Sequence, residues 1–129
     1  MNPKCAVLDT NVLMYIYSAK VDVFGELRLF GFSKFLVPSG VVEELEVLRD
    51  KLGGKYSRAA RFALQLIDKE GVEVVEVSSA GTDMALIELC KQRGCVLITN
   101  DRDLRKRARR EGIAVGYVRE MNRVFVEEV

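Results

Sequence analysis

Two short apolar runs in this chain each end in a carboxylate within a polar cluster. They are Ala6-Val7-Leu8-Asp9-Thr10-Asn11 near the start and Val96-Leu97-Ile98-Thr99-Asn100-Asp101 near the end. Continuous apolar runs of this length, separated by helical patterns, are typical of strands buried on both faces of a parallel sheet. Ligands of such sheets bind just beyond the carboxyl ends of the strands. We therefore expect Asp9 and Asp101 to lie at the ligand-binding edge of a parallel sheet.

Short strands and helices alternate along the rest of the chain. The pattern predicts strand 4–8, helix 11–18, helix 22–30, strand 35–37, helix 40–51, helix 57–69, strand 73–77, helix 82–93, strand 96–99, helix 102–111, strand 114–118 and an edge strand at 124–126. Such alternation indicates right-handed βαβ units. We expect one α/β domain over residues 1–129, a three-layer α/β/α sandwich with a central parallel sheet.

The composition is that of a globular protein. Of the 129 residues, 49% are apolar and 30% are charged, and a chain of this length buries roughly two-thirds of its unfolded surface. No stretch reaches the roughly 18 to 20 apolar residues of a membrane span, and no secretion signal opens the chain. We therefore expect a cytoplasmic protein with no membrane partner.

The residue types that are missing restrict the chemistry. The chain has no histidine, which excludes Ser-His-Asp catalysis, Cys-His catalysis and metal sites built on imidazole. The three cysteines, Cys5, Cys90 and Cys95, lack the spacing of a metal site. We expect them to pack as small apolar groups rather than to form a disulfide framework. Carboxylates, hydroxyls, amides or cations must therefore carry any reaction.

Helical phase selects one acid in the helix predicted over 40–51. The buried stripe of that helix is predicted to contain Val41, Leu45, Leu48 and Leu52. Glu44 borders this stripe at about 100° per residue, whereas Glu43 and Glu46 fall well away from it. We therefore expect Glu44 to be directed inward and the other two acids to be solvated.

The helix predicted over 82–93 begins with a further acid. Asp83 shares one helical face with Leu86, Ile87 and Cys90, while Thr82 is the natural N-cap. An acid in the first turn also complements the helix dipole, which is an ordinary structural role. Because Asp83 stands at the head of an apolar stripe, we expect it to be directed toward the same edge as Asp9.

The helix predicted over 102–111 distinguishes two acids. Asp101 lies on the side of the buried Leu104, whereas Asp103 is about 120° away from it. Asp101 is therefore the predicted inward acid and Asp103 the outward one. Asn100 or Asp101 could equally serve as an ordinary N-cap of this helix.

Four separate elements thus each offer one acid at the same edge: Asp9, Glu44, Asp83 and Asp101. Two unit charges ~4 Å apart repel by about 4 kcal/mol at an effective dielectric near 20, so acids that meet require a cation. Oxygen ligands without histidine or cysteine favour Mg²⁺ or Mn²⁺ over zinc. A site of this kind suits hydrolysis of a phosphodiester, because no histidine is needed to activate the attacking water.

Polar and basic residues accompany these acids. Those that could orient the carboxylates are Thr10, Asn11, Ser39, Thr99 and Asp103, although hydrogen bonds within local turns account for them equally well. The basic face of the last helix contains Arg102, Arg105, Lys106 and Arg109. This face is either simply solvated or holds the backbone of a nucleic acid.

In their order along the chain, these segments resemble the acidic motifs of the PIN-domain ribonucleases. The matching segments are 8–13, 38–39 with 42–45, Asp83 with Leu86 and Leu89, and 98–104. The resemblance implies a nuclease domain over 1–129 in which Asp9, Glu44, Asp83 and Asp101 bind Mg²⁺ or Mn²⁺ and hydrolyse single-stranded RNA. It also implies a homodimer, with an antitoxin or a ribosome-assembly factor as a further partner. Segments 98–104 and 115–126 look more like the ribosomal-RNA-processing branch than like the toxins of toxin–antitoxin pairs.

Other sheet proteins with acids at strand ends fit less well. A phosphoacceptor receiver domain needs an acidic pair just after the first strand, and a phosphatase of the Asp-x-Asp type needs a second acid where this chain has Asn11. The remaining alternative is a non-catalytic RNA-binding or assembly module with the same fold. Loss of metal-dependent RNA cleavage on neutralising Asp9 and Asp101 would separate the enzyme from this module.

Overall fold

The computed structural model describes residues 4–119 and 123–127. Its elements are, in chain order, β1 (Lys4–Leu8), α1 (Thr10–Ala19), α2 (Val23–Leu29), β2 (Phe32–Pro38), α3 (Ser39–Lys51), α4 (Gly54–Lys69), β3 (Glu73–Val75), α5 (Thr82–Arg93), β4 (Val96–Ile98), α6 (Arg102–Arg110), β5 (Val115–Arg119) and β6 (Arg123–Glu127). Each predicted element is confirmed, including the edge strand at 124–126. The boundaries differ most at β2 and α4, which begin earlier than their apolar patterns indicate.

The strands form one sheet in the order β3-β2-β1-β4-β5-β6. The pairs β1–β2, β1–β4, β2–β3 and β4–β5 are parallel, and only β5–β6 is antiparallel. The predicted central parallel sheet is therefore confirmed, with an antiparallel strand added at one edge. The chain leaves β1 on one side toward β2 and returns on the other side at β4. This reversal makes the carboxyl ends of β1 and β4 the usual place for a ligand.

The two central strands are buried on both faces. Successive residues of β1, from Ala6 to Leu8, are fully buried, as are Leu97 and Ile98 of β4. Since neighbouring residues of a strand point to opposite faces, helices must cover both sides of the sheet. This arrangement confirms the predicted layers and leaves polar side chains only beyond the strand ends. Among the described residues no helix is long and apolar enough to cross a membrane.

A close approach of three strands depends on Gly116 in β5. A Cβ atom at this position would lie 2.8 Å from the Ile98 Cδ1 atom and 2.8 Å from the carbonyl oxygen of Phe125. Real Cβ atoms essentially never come so near to other heavy atoms. Glycine therefore allows β5 to lie between β4 and the antiparallel β6, which places β6 beside the ligand-binding edge.

The expectation for the cysteines was wrong at two positions. Cys5 and Cys95 form a disulfide with a Cα–Cα distance of 4.8 Å. The pairing of Ala6 with Val96 in the sheet makes the two residues that precede them lateral neighbours, which a separation of 90 residues in sequence conceals. Cys90 is buried and free, as expected, and burial raises the pKa of its thiol to about 12.

One residue of the predicted stripe on α3 is also not buried. Val41 and Leu45 are fully buried and Leu48 is partly buried, but Leu52 remains 44% exposed. The helix ends at Lys51, and Leu52 has extended backbone angles. Helical phase therefore no longer determines where the Leu52 side chain points.

Candidate functional site

Asp9 is the buried acid of the ligand-binding edge. It follows β1 directly, only 6% of it is exposed, and its carboxylate accepts a hydrogen bond of 2.7 Å from the Thr99 hydroxyl. Asp9 occupies the N-cap position of α1, yet its side chain makes no capping hydrogen bond. The carboxylate is therefore directed toward β4 and not toward its own helix.

Other carboxylates act on Asp9 through space. Burial raises the pKa of Asp9 above its ordinary value, and the charges of Asp83 and Glu44 raise this pKa further. Hydrogen bonds from the Thr99 hydroxyl and the Thr10 backbone oppose that shift. Three acids from three separate elements therefore share one electrostatic environment. A cation placed among them would stabilise their charged forms.

Glu44 and Asp83 stand on the open side of this environment. Both residues are exposed, and Glu44 Oε2 accepts a hydrogen bond of 3.0 Å from the Thr82 hydroxyl. The prediction that Thr82 caps α5 was wrong, because Gly81 is the N-cap residue and the Thr82 side chain crosses to α3 instead. Ser39, Glu44 and Thr82 line an open cleft of about 470 Å³.

Asp101 is engaged differently from Asp9. Its carboxylate accepts hydrogen bonds from the backbone amides of Asp103, at 3.0 Å, and Leu104, at 3.1 Å. This is the ordinary N-cap arrangement. The backbone amide of Asp101 in turn donates to the Thr99 hydroxyl at 3.1 Å. Thr99 therefore connects the two acids, although the Asp101 carboxylate itself is directed into α6.

The four acids do not form a closed metal cage. Over residues 4–119 and 123–127, no three acidic or cysteine side chains are grouped closely enough to enclose a metal ion. The donors that share an environment are nevertheless all carboxylate oxygens, from Asp9, Glu44 and Asp83. Oxygen donors of this kind are the ligands of Mg²⁺ and Mn²⁺. The chemistry of the donor set therefore fits a hard divalent cation, and the complete four-acid ligand set stays a prediction.

The side chains expected to orient the acids divide into two groups. Thr99 donates to Asp9, as just described. The Thr10 hydroxyl is buried and has no hydrogen-bond partner among the described residues. Asn11 is exposed and lines a separate cleft between α1, α3 and α4, and Asp103 is exposed as its helical phase predicted. Thr82 was missed as an orienting residue, because only the folded chain brings α5 beside α3.

The basic face of α6 is partly engaged within the protein. The Arg105 guanidinium donates to the Thr99 carbonyl oxygen at 3.0 Å and lies 4.5 Å from the centre of the Tyr117 ring. Arg109 forms an ion pair with Glu127. Arg102 and Lys106 are exposed. The four predicted RNA-binding side chains thus divide into two that are held in place and two that extend into solvent.

Comparisons with known proteins agree with the fold and with the position of the acids. A family model described as a PIN-like domain matches residues 6–121. Ribonuclease VapC9 of Archaeoglobus fulgidus is 56% identical over 124 residues, which cover 96% of this chain and 90% of that protein.

Solved structures show the same fold. The PIN domain endonuclease Utp24 superposes with a TM-score of 0.76 at 27% identity, covering 98% of this chain and 93% of that chain. The structure of VapBC2 from Rickettsia felis, bound to a DNA fragment from their promoter, gives a TM-score of 0.65 at 15% identity, covering 88% and 98%. This last likeness concerns the fold alone. With a matching family model over most of its length and a relative of 56% identity, the chain belongs to the PIN-like domain family.

Proposed function

We propose that this protein is a metal-dependent endoribonuclease that hydrolyses phosphodiester bonds of single-stranded RNA. The observation that carries the proposal is the environment of Asp9. A buried carboxylate at the end of a central strand has its pKa raised by burial and by two acids from other elements. Such an arrangement is unfavourable for a purely structural site, and it suits the binding of a cation. The names of two similar proteins, ribonuclease VapC9 and endonuclease Utp24, support the same activity.

The proposed ligands are the carboxylates of Asp9, Glu44, Asp83 and Asp101, and the proposed cation is Mg²⁺ or Mn²⁺. When bound, such a cation lowers the pKa of the attacking water and stabilises negative charge on the phosphate. Asp9 must be ionised to contribute, because metal ligands bind in their deprotonated forms. Burial opposes this ionisation, whereas the hydrogen bonds from Thr99 and Thr10 favour it.

The hydroxyl groups of this edge are proposed to orient the acids. Thr99 donates to Asp9 and accepts from the Asp101 amide, so its single hydroxyl fixes both strand-end segments. Thr82 donates to Glu44 and so restricts the exposed glutamate to one direction. Thr10 contributes a buried hydroxyl that has no partner among the described side chains and that can accept a water or phosphate hydrogen bond. Together these contacts hold the carboxylates in place before RNA arrives.

Cellular role and partners are part of this proposal. The VapC name of the 56% identical relative connects the chain with toxin–antitoxin pairs, and we propose an antitoxin as its partner. A role in ribosomal RNA processing, with a ribosome-assembly partner, is the alternative that segments 98–104 and 115–126 favour. A small antitoxin-like reading frame next to the gene would favour the toxin role. A homodimer is proposed in either case and is measured by the mass of the protein in solution.

Cleavage of a labelled single-stranded RNA tests the activity directly. We expect the purified protein to cleave internal bonds when Mg²⁺ or Mn²⁺ is present and to stop when a chelator is added. Asp9→Asn should abolish this cleavage, whereas Asp68→Asn, the same change at an exposed position on α4, should leave it unchanged. RNA binding without metal-dependent cleavage in the parent protein would instead identify the non-catalytic RNA-binding module.

A further inference from the structure

A second polar site lies beside the acidic edge, between α6 and the β5–β6 hairpin. It is an open cleft of about 520 Å³. Its charged and aromatic lining consists of Arg102, Arg105, Arg109, Arg119, Tyr117 and Glu127. We call this site the basic cleft. Four guanidinium groups against one carboxylate give it a strong preference for anions.

An aromatic surface continues from the basic cleft onto β6. Tyr117 and Phe125 are paired across β5 and β6, and their rings stack with centres 6.0 Å apart and planes 20° apart. Phe125 is 39% exposed, which is unusual for a phenylalanine on a sheet edge. The Arg119 guanidinium lies 5.7 Å from the centre of the same ring. An exposed ring next to a cation offers both parts of a nucleotide a partner, since bases stack on aromatic rings and phosphates pair with arginine.

The floor of the basic cleft is held in place by Arg105. This guanidinium donates to the Thr99 carbonyl oxygen and covers one face of the Tyr117 ring. Its Nε atom is buried and has no hydrogen-bond partner among the described residues. Because Arg105 already covers Tyr117, the ring that remains available to a ligand is that of Phe125.

Glu127 occupies an anion position within the basic cleft. Its carboxylate accepts a hydrogen bond from Arg109 Nε at 3.1 Å, a second from Arg109 Nη2, and one from the Tyr117 hydroxyl at 3.4 Å. The hydrogen bond from Arg109 lowers the pKa of Glu127. The exposed Arg102 and Arg119 form no ion pair within the described parts of the chain. A phosphate could therefore bind these two arginines directly and compete with Glu127 for Arg109.

The basic cleft is connected to the acidic edge by the segment that follows β4. Asn100 lines the cleft and accepts a hydrogen bond of 2.8 Å from the backbone amide of Val118. The preceding residue, Thr99, donates to Asp9. A strand of RNA that lies in the basic cleft thus passes next to the proposed site of hydrolysis.

We propose that the basic cleft and the Phe125 ring form a binding subsite for single-stranded RNA. In this subsite Arg102 and Arg119 contact backbone phosphates, a phosphate replaces Glu127 on Arg109, and an unpaired base stacks on Phe125. The identity of the ligand as RNA rests on the proposed function, while the position of the subsite rests on the contacts given above. A duplex cannot use the Phe125 ring in this way, because its bases are already stacked.

Binding measured without cleavage tests the subsite. Fluorescence anisotropy of a labelled single-stranded RNA of about 12 nucleotides, recorded in a chelator, reports affinity while the proposed hydrolysis is stopped. Phe125→Leu keeps the apolar volume but removes the aromatic face, and we expect the Kd to rise by about 5- to 100-fold. Phe125→Tyr retains the ring and should bind like the parent. Neither change should affect the affinity for the same sequence as a duplex.

Charge variants test the phosphate contacts independently of Phe125. The double variant Arg102→Ala with Arg119→Ala changes two exposed positions, and its dependence of log K on log salt should be shallower by about 1.4, or 0.7 for each lost contact to a single strand. Glu127→Gln should tighten binding by roughly threefold or more, because the competing charge on Arg109 is lost.

The two proposals fail in distinguishable ways. If Phe125→Leu and the double arginine variant bind single-stranded RNA as tightly as the parent, the subsite is overturned, even if Asp9→Asn abolishes cleavage. If the parent does not cleave RNA but these variants lose affinity, the subsite holds and the proposed hydrolysis is wrong. An equal loss of single-stranded and duplex affinity in Phe125→Leu would also overturn the stacking role.

Discussion

Asp9 and Asp101 follow the two strands at the centre of the sheet, yet their side chains have different partners. The carboxylate of Asp9 makes no cap and accepts a hydrogen bond from Thr99 on the neighbouring strand. The carboxylate of Asp101 accepts two backbone amides of its own helix. The same local sequence, an apolar strand followed by an acid and a helix, thus gives a buried charge in one case and a helix cap in the other. The difference shows that neighbouring strands, and not the local pattern, decide what such an acid does.

The largest expected difference between the two acids is in RNA cleavage. Asp9→Asn should lower the single-turnover rate at saturating Mg²⁺ or Mn²⁺ by at least about 1,000-fold, because a central charged group of the proposed site is lost. Asp101→Asn should lower the rate by only about 10-fold, because asparagine caps a helix as well as aspartate does and part of the Asp101 carboxylate is already engaged by α6.

An alanine at position 101 separates capping from charge. Asp101→Ala removes both, and loss of the cap should lower the free energy of unfolding by about 1 kcal/mol, whereas Asp101→Asn should not. If Asp101→Asn slowed cleavage as much as Asp9→Asn, the contrast between the two acids would disappear. That result would mean that Asp101 leaves the amides of α6 when the cation and RNA bind.

Much of the fold follows from the sequence because it depends on local periodicity. Apolar runs and helical phase identify each described element, and they correctly direct Asp103 outward and Leu104 inward. The lateral order of the strands is not a local property, so the Cys5–Cys95 disulfide could not be read from spacing.

The candidate site is predictable only in part, for the same reason. The position of Asp9 follows from the end of β1, whereas its partner Thr99 depends on β4 lying next to β1. Phase arguments selected Glu44 and Asp83, but both proved exposed and affect Asp9 through charge. The Thr82 hydroxyl turned to Glu44 because α5 packs beside α3. Phase along one helix contains no information about a neighbouring helix.

Thr99 provides the next test, because it is bonded to both acids. Thr99→Val has nearly the same shape but loses the donor to Asp9 and the acceptor of the Asp101 amide. A buried carboxylate without its partner should lower the free energy of unfolding by about 1 to 3 kcal/mol. Loss of an orienting group should also slow cleavage by about 10- to 100-fold. Urea unfolding at pH 7 and single-turnover cleavage measure the two effects.

Serine and the Asp9 variant are the controls for Thr99. Thr99→Ser keeps the hydroxyl and loses one methyl group, so it should retain cleavage and be destabilised by only about 1 kcal/mol. In the Asp9→Asn background, Thr99→Val should cost less than it does in the parent, since the charged acceptor is already gone. Equal losses for valine and serine would show that the methyl group, and not the hydrogen bond to Asp9, is what matters at this position.

The smallest expected effect concerns stability and pH, and it tests whether Asp9 is a strained charge while Asp101 is not. Burial and the carboxylates of Asp83 and Glu44 raise the pKa of Asp9 above its ordinary value of 3.8. Below that value Asp9 is protonated in both states and contributes nothing. As the pH rises, the unfolded chain releases this proton more readily than the folded protein, so folding is disfavoured. The loss is complete once the pH exceeds the raised pKa of the folded state.

Asp9→Asn removes this penalty, so in a chelator it should unfold at a higher temperature than the parent at pH 7. The advantage should shrink as the pH falls toward 4, and each kcal/mol corresponds to roughly 3 to 5 °C in a chain of this length. Melting curves between pH 4 and pH 8 measure it, with Asp68→Asn as the matched change at an exposed site. Mg²⁺ or Mn²⁺ should stabilise the parent more than Asp9→Asn, because a cation that binds the folded state raises its stability. A difference that stays constant with pH would show that Asp9 is no more strained than Asp101, and the contrast between the two strand-end acids would then lie in their hydrogen bonds alone.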